Sequence, residues 1–170
     1  MSDIKIFDNF LNKQDFKKLF DSMNGNSFPW YYNDYVNDKE NNNEHFQFIH
    51  NFFNKTVTSN LFTLVEPLTH KLDMTSIVRI KANLLLKTDT PVVHDYHTDF
   101  NWKYKWWTAV YYVNSNNGKT IFKKNKESVC SKANRLVLFD GRLLHKGTTA
   151  TDSKKRICIN LNFFNKQLEK

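Results

Sequence analysis

The stretch HDYHTDFNW, residues 94–102, places His94, Asp95, His97 and Asp99 within six positions and surrounds them with aromatic side chains. A folded core tolerates such polar groups only when they are satisfied. In extended backbone His97 and Asp99, two positions apart, project to the same side. A further imidazole follows at His145 in GRLLHKG. Two imidazoles and one carboxylate on one face of an octahedron, with the other positions open, form the donor set that holds non-haem Fe(II) for oxygen chemistry. An HxD alone is a weak signal, and a downstream histidine on a strand-rich frame strengthens it. Arg156 strengthens it further, because its planar fork can grip a carboxylate bidentately. The plainer alternative is a histidine-rich surface turn, with Arg156 in an ordinary ion pair.

These residues need a scaffold, and the hydrophobic periodicity supplies one. In SIVRIKANLLL (76–86), Val78, Ile80, Ala82, Leu84 and Leu86 share one face while Arg79, Lys81 and Asn83 share the other. WWTAVYYVN (106–114), KTIF (119–122), NRLVLF (134–139) and RICINLNFF (156–164) are further strands, separated by the turn signals NSNNG, FDG and TATDSKK. In the last strand Arg156, Cys158, Asn160 and Asn162 point one way, and Ile157, Ile159, Leu161 and Phe163 the other. Upstream, Asn12 caps a helix running to about Met23, with Phe16, Leu19 and Phe20 at helical spacing. A second helix is expected over 59–72, with Leu61, Leu64, Val65, Leu68 and Leu72 on one face. Between them Asn24 to Asn43 reads as an irregular Asn-rich loop anchored by FPWYY. The fold class is therefore mainly β, an antiparallel sandwich or jelly roll with helices packed outside one sheet. The apolar row of the last strand meets the helices, and its polar row faces the interior, where Arg156 needs an anionic partner.

Composition bounds the context. With 170 residues, 40% hydrophobic and 15 Phe, the chain suits one domain with a full core, a helical part over 1–74 and a β core over 75–166. Cys130 and Cys158 are too few for a disulfide framework or a zinc–thiolate site. No long apolar run and no signal or transit segment is recognisable, so a soluble, cytoplasmic protein without a membrane partner is expected. Charge is uneven: residues 1–100 carry 10 Lys/Arg and 13 Asp/Glu, whereas 101–170 carry 15 and 4. A basic half suits either a solvated lysine surface or an anionic partner such as nucleic acid. Lys103, Lys105, Lys123, Lys124 and Lys126 would then meet phosphates.

From roughly Ser76 to Phe164 the sequence resembles the Fe(II)/2-oxoglutarate-dependent oxygenases, in particular their prolyl-hydroxylase-like branch. The matching pieces are HTD (97–99), WTAVYYVN (107–114), NGKTIF (117–122), RLVLFDGRLLH (135–145) and RICINLNFF (156–164), in the family's order and approximate spacing. The resemblance implies a double-stranded β-helix, of the jelly-roll or cupin-like kind, whose mouth holds Fe(II) through His97, Asp99 and His145. It implies that Arg156 pairs with the distal carboxylate of 2-oxoglutarate, that Thr108 and Tyr112 line the cosubstrate pocket, and that Asn160 sits beside the arginine. The implied activity is hydroxylation by O₂ with decarboxylation of 2-oxoglutarate to succinate, ascorbate serving as a reductant. A protein or peptide prolyl residue is the first-ranked substrate. A nucleic-acid base hydroxylase or demethylase, and a non-catalytic β-helix binding module, are the alternatives.

The sequence also departs from that pattern. A tyrosine common on the strand before the HxD is replaced in ANLLLK, where Asn83 is the nearest inward polar group and takes over its hydrogen bond. Asn117-Gly118-Lys119 stands where a Gly-Gly turn is usual. His94 is open between a mouth residue, a partner of the metal ligands and a spectator. Trp102, Trp106 and Trp107 read as packing residues more readily than as substrate platforms, and Asp95 as a solvated loop charge.

Overall fold

The computed structural model describes residues 4–36, 45–165 and 168. Among the described residues eleven strands and two helices follow one another as β1 (Ile4–Phe7), α1 (Lys13–Asn24), β2 (Tyr31–Asn33), β3 (Gln47–Asn54), β4 (Thr56–Val57), α2 (Glu66–Lys71), β5 (Ser76–Leu86), β6 (Trp107–Tyr112), β7 (Lys119–Phe122), β8 (Ser128–Cys130), β9 (Arg135–Asp140), β10 (His145–Gly147) and β11 (Lys155–Phe164). The larger sheet runs β1-β9-β6-β11-β5-β3-β2, with β4 on β3, and the smaller runs β10-β7-β8. Every named pair is antiparallel. The bridges Val93↔Thr148 and His97↔His145 extend the smaller sheet with the segment after β5. This is the expected mainly-β, jelly-roll architecture with helices on one sheet.

The two faces of the large sheet do different work. Ile157, Ile159, Leu161 and Phe163 of β11 join Ile80, Ala82 and Leu84 of β5 in one buried cluster with Leu19 and Met23 of α1 and Leu68 of α2. A fully buried aliphatic side chain contributes about 1.5–3 kcal/mol, so this layer is where most of the stability resides. The opposite face turns toward the small sheet and carries a second, smaller cluster that includes Val110, Tyr112, Phe122, Val137 and Phe139. Helix α1 begins where its sequence says it should: Asn12 accepts a hydrogen bond from the Asp15 amide at 2.9 Å.

Three expectations are corrected. The amino-terminal part is not helical throughout, because β1 to β4 lie in it and join the large sheet. Strand β3 was hidden by His50 in its buried row, a polar residue satisfied by Pro29 O at 2.8 Å and Ser59 Oγ at 2.9 Å, and by a register shift between Asn51 and Phe53. FPWYY is only partly loop, since its tyrosines begin β2; residues 37–43 of the expected loop lie outside the described residues. The helix expected over 59–72 is shorter: a 3₁₀ turn at Phe62–Leu64 precedes α2. Pro67, lacking an N–H, fits only the first turn of a helix and so stops a continuous one. Among the described residues no helix is long and apolar enough to cross a membrane.

Candidate active site

Position 97 reaches position 145 through the backbone. The His97 amide donates to His145 O at 2.9 Å and the His145 amide to His97 O at 3.0 Å, which sets the two imidazoles side by side at 4.7 Å between centroids. Asp99, two residues on, completes a cluster whose donor atoms all lie within 4.8 Å of one another. Among the described residues it is the one His/Cys/Asp/Glu group with that spacing; His70 is exposed on α2 and has no part in it. His145 is buried against Phe139 at 4.9 Å. His97 Nδ1 faces Asp95 O at 3.2 Å and His145 Nδ1 faces Leu143 O at 3.0 Å. A carbonyl can only accept, so both Nδ1 atoms carry a proton, and in the neutral ring this leaves Nε2 as the lone-pair nitrogen, the tautomer a metal requires. Burial, reinforced by the neighbouring His145, lowers the His97 pKa and favours that neutral form.

The carboxylate is held from behind. Arg79 Nη2 donates to Asp99 Oδ1 at 2.8 Å and Asn162 Nδ2 to Asp99 Oδ2 at 2.8 Å, while Arg79 stacks on the Phe100 ring at 4.8 Å. Burial alone would raise the Asp99 pKa, but the charges of His145, Arg79 and His97 outweigh it and hold the group at about 2. The carboxylate is therefore an ionised donor throughout the neutral range. Two imidazoles held in this tautomer, one carboxylate and an open side fit a divalent metal. Sequence reasoning gave Arg79 and Asn162 no role; their shared parity with Asn83 and Arg156 was the available signal.

The triad opens onto a cavity of about 470 Å³, whose walls include Arg79, Lys81, Asn83, His94, Asn160 and Arg156. Arg156 is 3% exposed. Its Nε donates to Ser131 Oγ at 2.9 Å, its Nη2 to Thr120 Oγ1 at 3.4 Å, and its Cζ lies 5.7 Å from the Tyr112 ring centroid. Gly118 makes this seat possible, since a Cβ there would lie 2.5 Å from Arg156 Cδ. The ordinary ion pair is absent: among the described residues Arg156 has no carboxylate partner. A guanidinium so buried is costly without an anion. Arg142 instead pairs with Asp140 at 2.6 Å, and Lys146 stands 4.2 Å over Tyr96.

Other expectations divide. Asn160 and Asn83 line the cavity, and Asn83 Oδ1 is buried without a hydrogen-bond partner. Thr108 and Tyr112, expected on the cosubstrate wall, stand behind it. Thr108 Oγ1 accepts from Asn162 at 3.1 Å, and the Tyr112 hydroxyl donates to Thr120 at 2.8 Å. Each is fully buried and acts from behind the wall, Tyr112 through the wall residue Thr120 and Thr108 through Asn162, which holds Asp99. His94 is buried in the cavity wall, its Nε2 has no hydrogen-bond partner among the described residues, and burial pushes its pKa down to about 4. Lys81, which the sequence reading left unassigned, is a cavity cation whose pKa burial, with the Arg79 charge, lowers to about 8. Trp106 and Trp107 are packing residues, Trp106 filling the space left by Gly141; Trp102 stacks on Phe100 at 4.4 Å. Asp95 is exposed at the mouth.

No family model matches the chain, and no curated protein matches it. Solved structures do. A prolyl hydroxylase from Trichoplax adhaerens, in complex with a hypoxia inducible factor oxygen degradation domain peptide fragment, superposes with a TM-score of 0.69 at 15% identity, covering 98% of this chain and 86% of that one. A 2OG-Fe(II) oxygenase family oxidoreductase from Burkholderia pseudomallei gives 0.67 at 10% identity over 94% and 84%. A Pseudomonas putida prolyl-4-hydroxylase gives 0.56 at 13% identity over 95% and 92%. The chain thus has the fold of the 2OG-Fe(II) oxygenases, prolyl hydroxylases included. Likeness at such identities speaks to architecture, and the chemistry is argued from the site.

Proposed function

We propose that the chain forms a single Fe(II)- and 2-oxoglutarate-dependent oxygenase domain that hydroxylates a prolyl residue of a polypeptide. One observation carries this reading: a two-histidine, one-aspartate cluster and a buried arginine without an acidic partner face the same cavity. His97, Asp99 and His145 would hold the iron, which supplies oxygen activation coupled to decarboxylation of the cosubstrate. Arg156 would bind the distal carboxylate of 2-oxoglutarate and so orient it. Arg79 and Asn162 keep Asp99 ionised and aimed, while Leu143 O and Asp95 O keep both imidazoles in the binding tautomer. Thr120 and Tyr112 support Arg156 from behind. The polypeptide preference rests on the Trichoplax neighbour and its peptide. The complete ligand set argues against a non-catalytic module.

Succinate release from 2-oxoglutarate with Fe(II) and ascorbate tests the reading. Turnover stimulated by prolyl peptides is the expected result. Absence of both succinate formation and 2-oxoglutarate binding would sink it. The nucleic-acid alternative predicts oligonucleotide-stimulated succinate release that falls steeply with salt and depends on the exposed Lys103, Lys123, Lys124 and Lys126.

A further inference from the structure

The cavity-facing rows of β5 and β11 run in register: Arg79 beside Asn162, Lys81 beside Asn160, Asn83 beside Cys158 and Leu85 beside Arg156. Asp99 is held at the first of these rungs, and Arg156 occupies the last. The cations between and around them are not equivalent. Arg79 is neutralised by Asp99. Arg156 is assigned above to the cosubstrate. Lys81 stands one rung from Asp99, yet among the described residues it makes no hydrogen bond and no ion pair. Alternate residues of a strand are about 6.6 Å apart, so a four-carbon stem can bring its ammonium to the edge of the metal cluster. In the walls of the same cavity, Asn83 Oδ1 and His94 Nε2 are buried polar atoms without partners among the described residues. Buried polar atoms left unpaired in a ligand cavity are what a ligand would satisfy.

On the oxygenase reading, 2-oxoglutarate brings two carboxylates, one for the metal and one for Arg156. Neither is left for Lys81, which stands close to Arg79 and feels Asp99 only as a carboxylate already engaged by Arg79 and Asn162. We propose that Lys81 is the receptor for a further carboxylate, carried by the substrate, with Asn83 and His94 as its neutral hydrogen-bonding neighbours. The substrate class is then a peptidic acid, in which the hydroxylated residue lies beside an acidic side chain or a free chain terminus.

The test uses the full chain loaded with Mn(II) and saturating 2-oxoglutarate, with propionate and propionamide as a charge-only pair of probes. Mn(II)-enhanced relaxation of the probe methyl protons reports occupancy near the metal. Propionate should relax strongly and propionamide weakly. The propionate effect should vanish in Lys81→Gln and persist in Lys81→Arg, with circular dichroism showing both variants folded. A single charge acting across a solvent-filled cavity is weak, so calorimetry should find 2-oxoglutarate affinity changed by less than about threefold in Lys81→Gln. Equal relaxation by the two probes, or a propionate effect that survives Lys81→Gln, overturns the assignment while leaving the oxygenase reading intact. A loss of 2-oxoglutarate affinity of about tenfold or more in Lys81→Gln gives the lysine to the cosubstrate and also overturns it. A wild-type protein that binds neither Mn(II) nor 2-oxoglutarate overturns both.

Discussion

Strand β11 presents two opposite surfaces from adjacent residues. Ile157, Ile159, Leu161 and Phe163 are fully buried against the helices, with apolar neighbours on every side. Arg156, Cys158, Asn160 and Asn162, one residue out of phase, belong to the face that carries the cavity and the hydrogen bonds to Asp99. The first face is saturated: it has its partners within the chain. The second borders a cavity that is incomplete among the described residues: Arg156 lacks an acid, Lys81 of β5 lacks a hydrogen-bond or ion-pair partner, and Asn83 and His94 carry unpaired atoms. A fold can leave one face of a strand unsatisfied because the other face supplies the free energy.

This contrast can be broken from either side. The largest effect is expected for Asp99→Ala, which should abolish succinate formation and most metal affinity in a titration with Fe(II) or Mn(II). Because it strands Arg79, it should also lower the melting temperature. Next is Arg156→Ala. Truncating one side of a buried charged pair costs about 3–5 kcal/mol, so the 2-oxoglutarate requirement should rise by two to three orders of magnitude. Arg156→Lys should be milder yet impaired, since an ammonium lacks the fork. Steady-state kinetics in 2-oxoglutarate decides both.

The opposite face should behave in reverse. Leu161→Ala is expected to lose about 2–5 kcal/mol in denaturant unfolding, with little change in 2-oxoglutarate affinity for the folded fraction. Gly118→Ala joins the two behaviours, because its Cβ meets Arg156 Cδ at 2.5 Å. Overpacking of this kind costs about 1–3 kcal/mol, and here it should fall mainly on cosubstrate affinity.

The last effect is in pH. His94 is held at about 4 against an ordinary 6.5, and burial lowers His97 as well. A group whose folded pKa is depressed binds more protons when unfolded. Stability of the metal-free protein should therefore fall as pH drops from 6.5 toward 4, and His94→Gln should flatten part of that slope in pH-dependent thermal melts.

Much of the site was legible because strand periodicity is strict. Once SIVRIKANLLL and RICINLNFF were read with period two, the inward orientation of Asn83, Asn160 and Arg156 followed, as did the buried row that faces the helices. The cluster of His97, Asp99 and His145 was legible as a combination of residue types. Other features left no local trace. Strands β8 and β10 are three residues each, too short for a period to show. Strand β3 carries a buried histidine and a bulge, and Lys81 looks like any solvated strand lysine.

The sequence by itself determined residue chemistry and alternation: which side chains can bind a metal or a carboxylate, and which of them share a strand face. Only the tertiary structure decided which of those groups stay unpaired. That Arg79 is taken by Asp99 while Arg156 and Lys81 make no ion pair among the described residues depends on contacts between residues 20 to 83 positions apart. Hydrogen bonding and Coulomb forces act over a few ångströms in space, whatever the separation along the chain, and chain folding alone sets those distances.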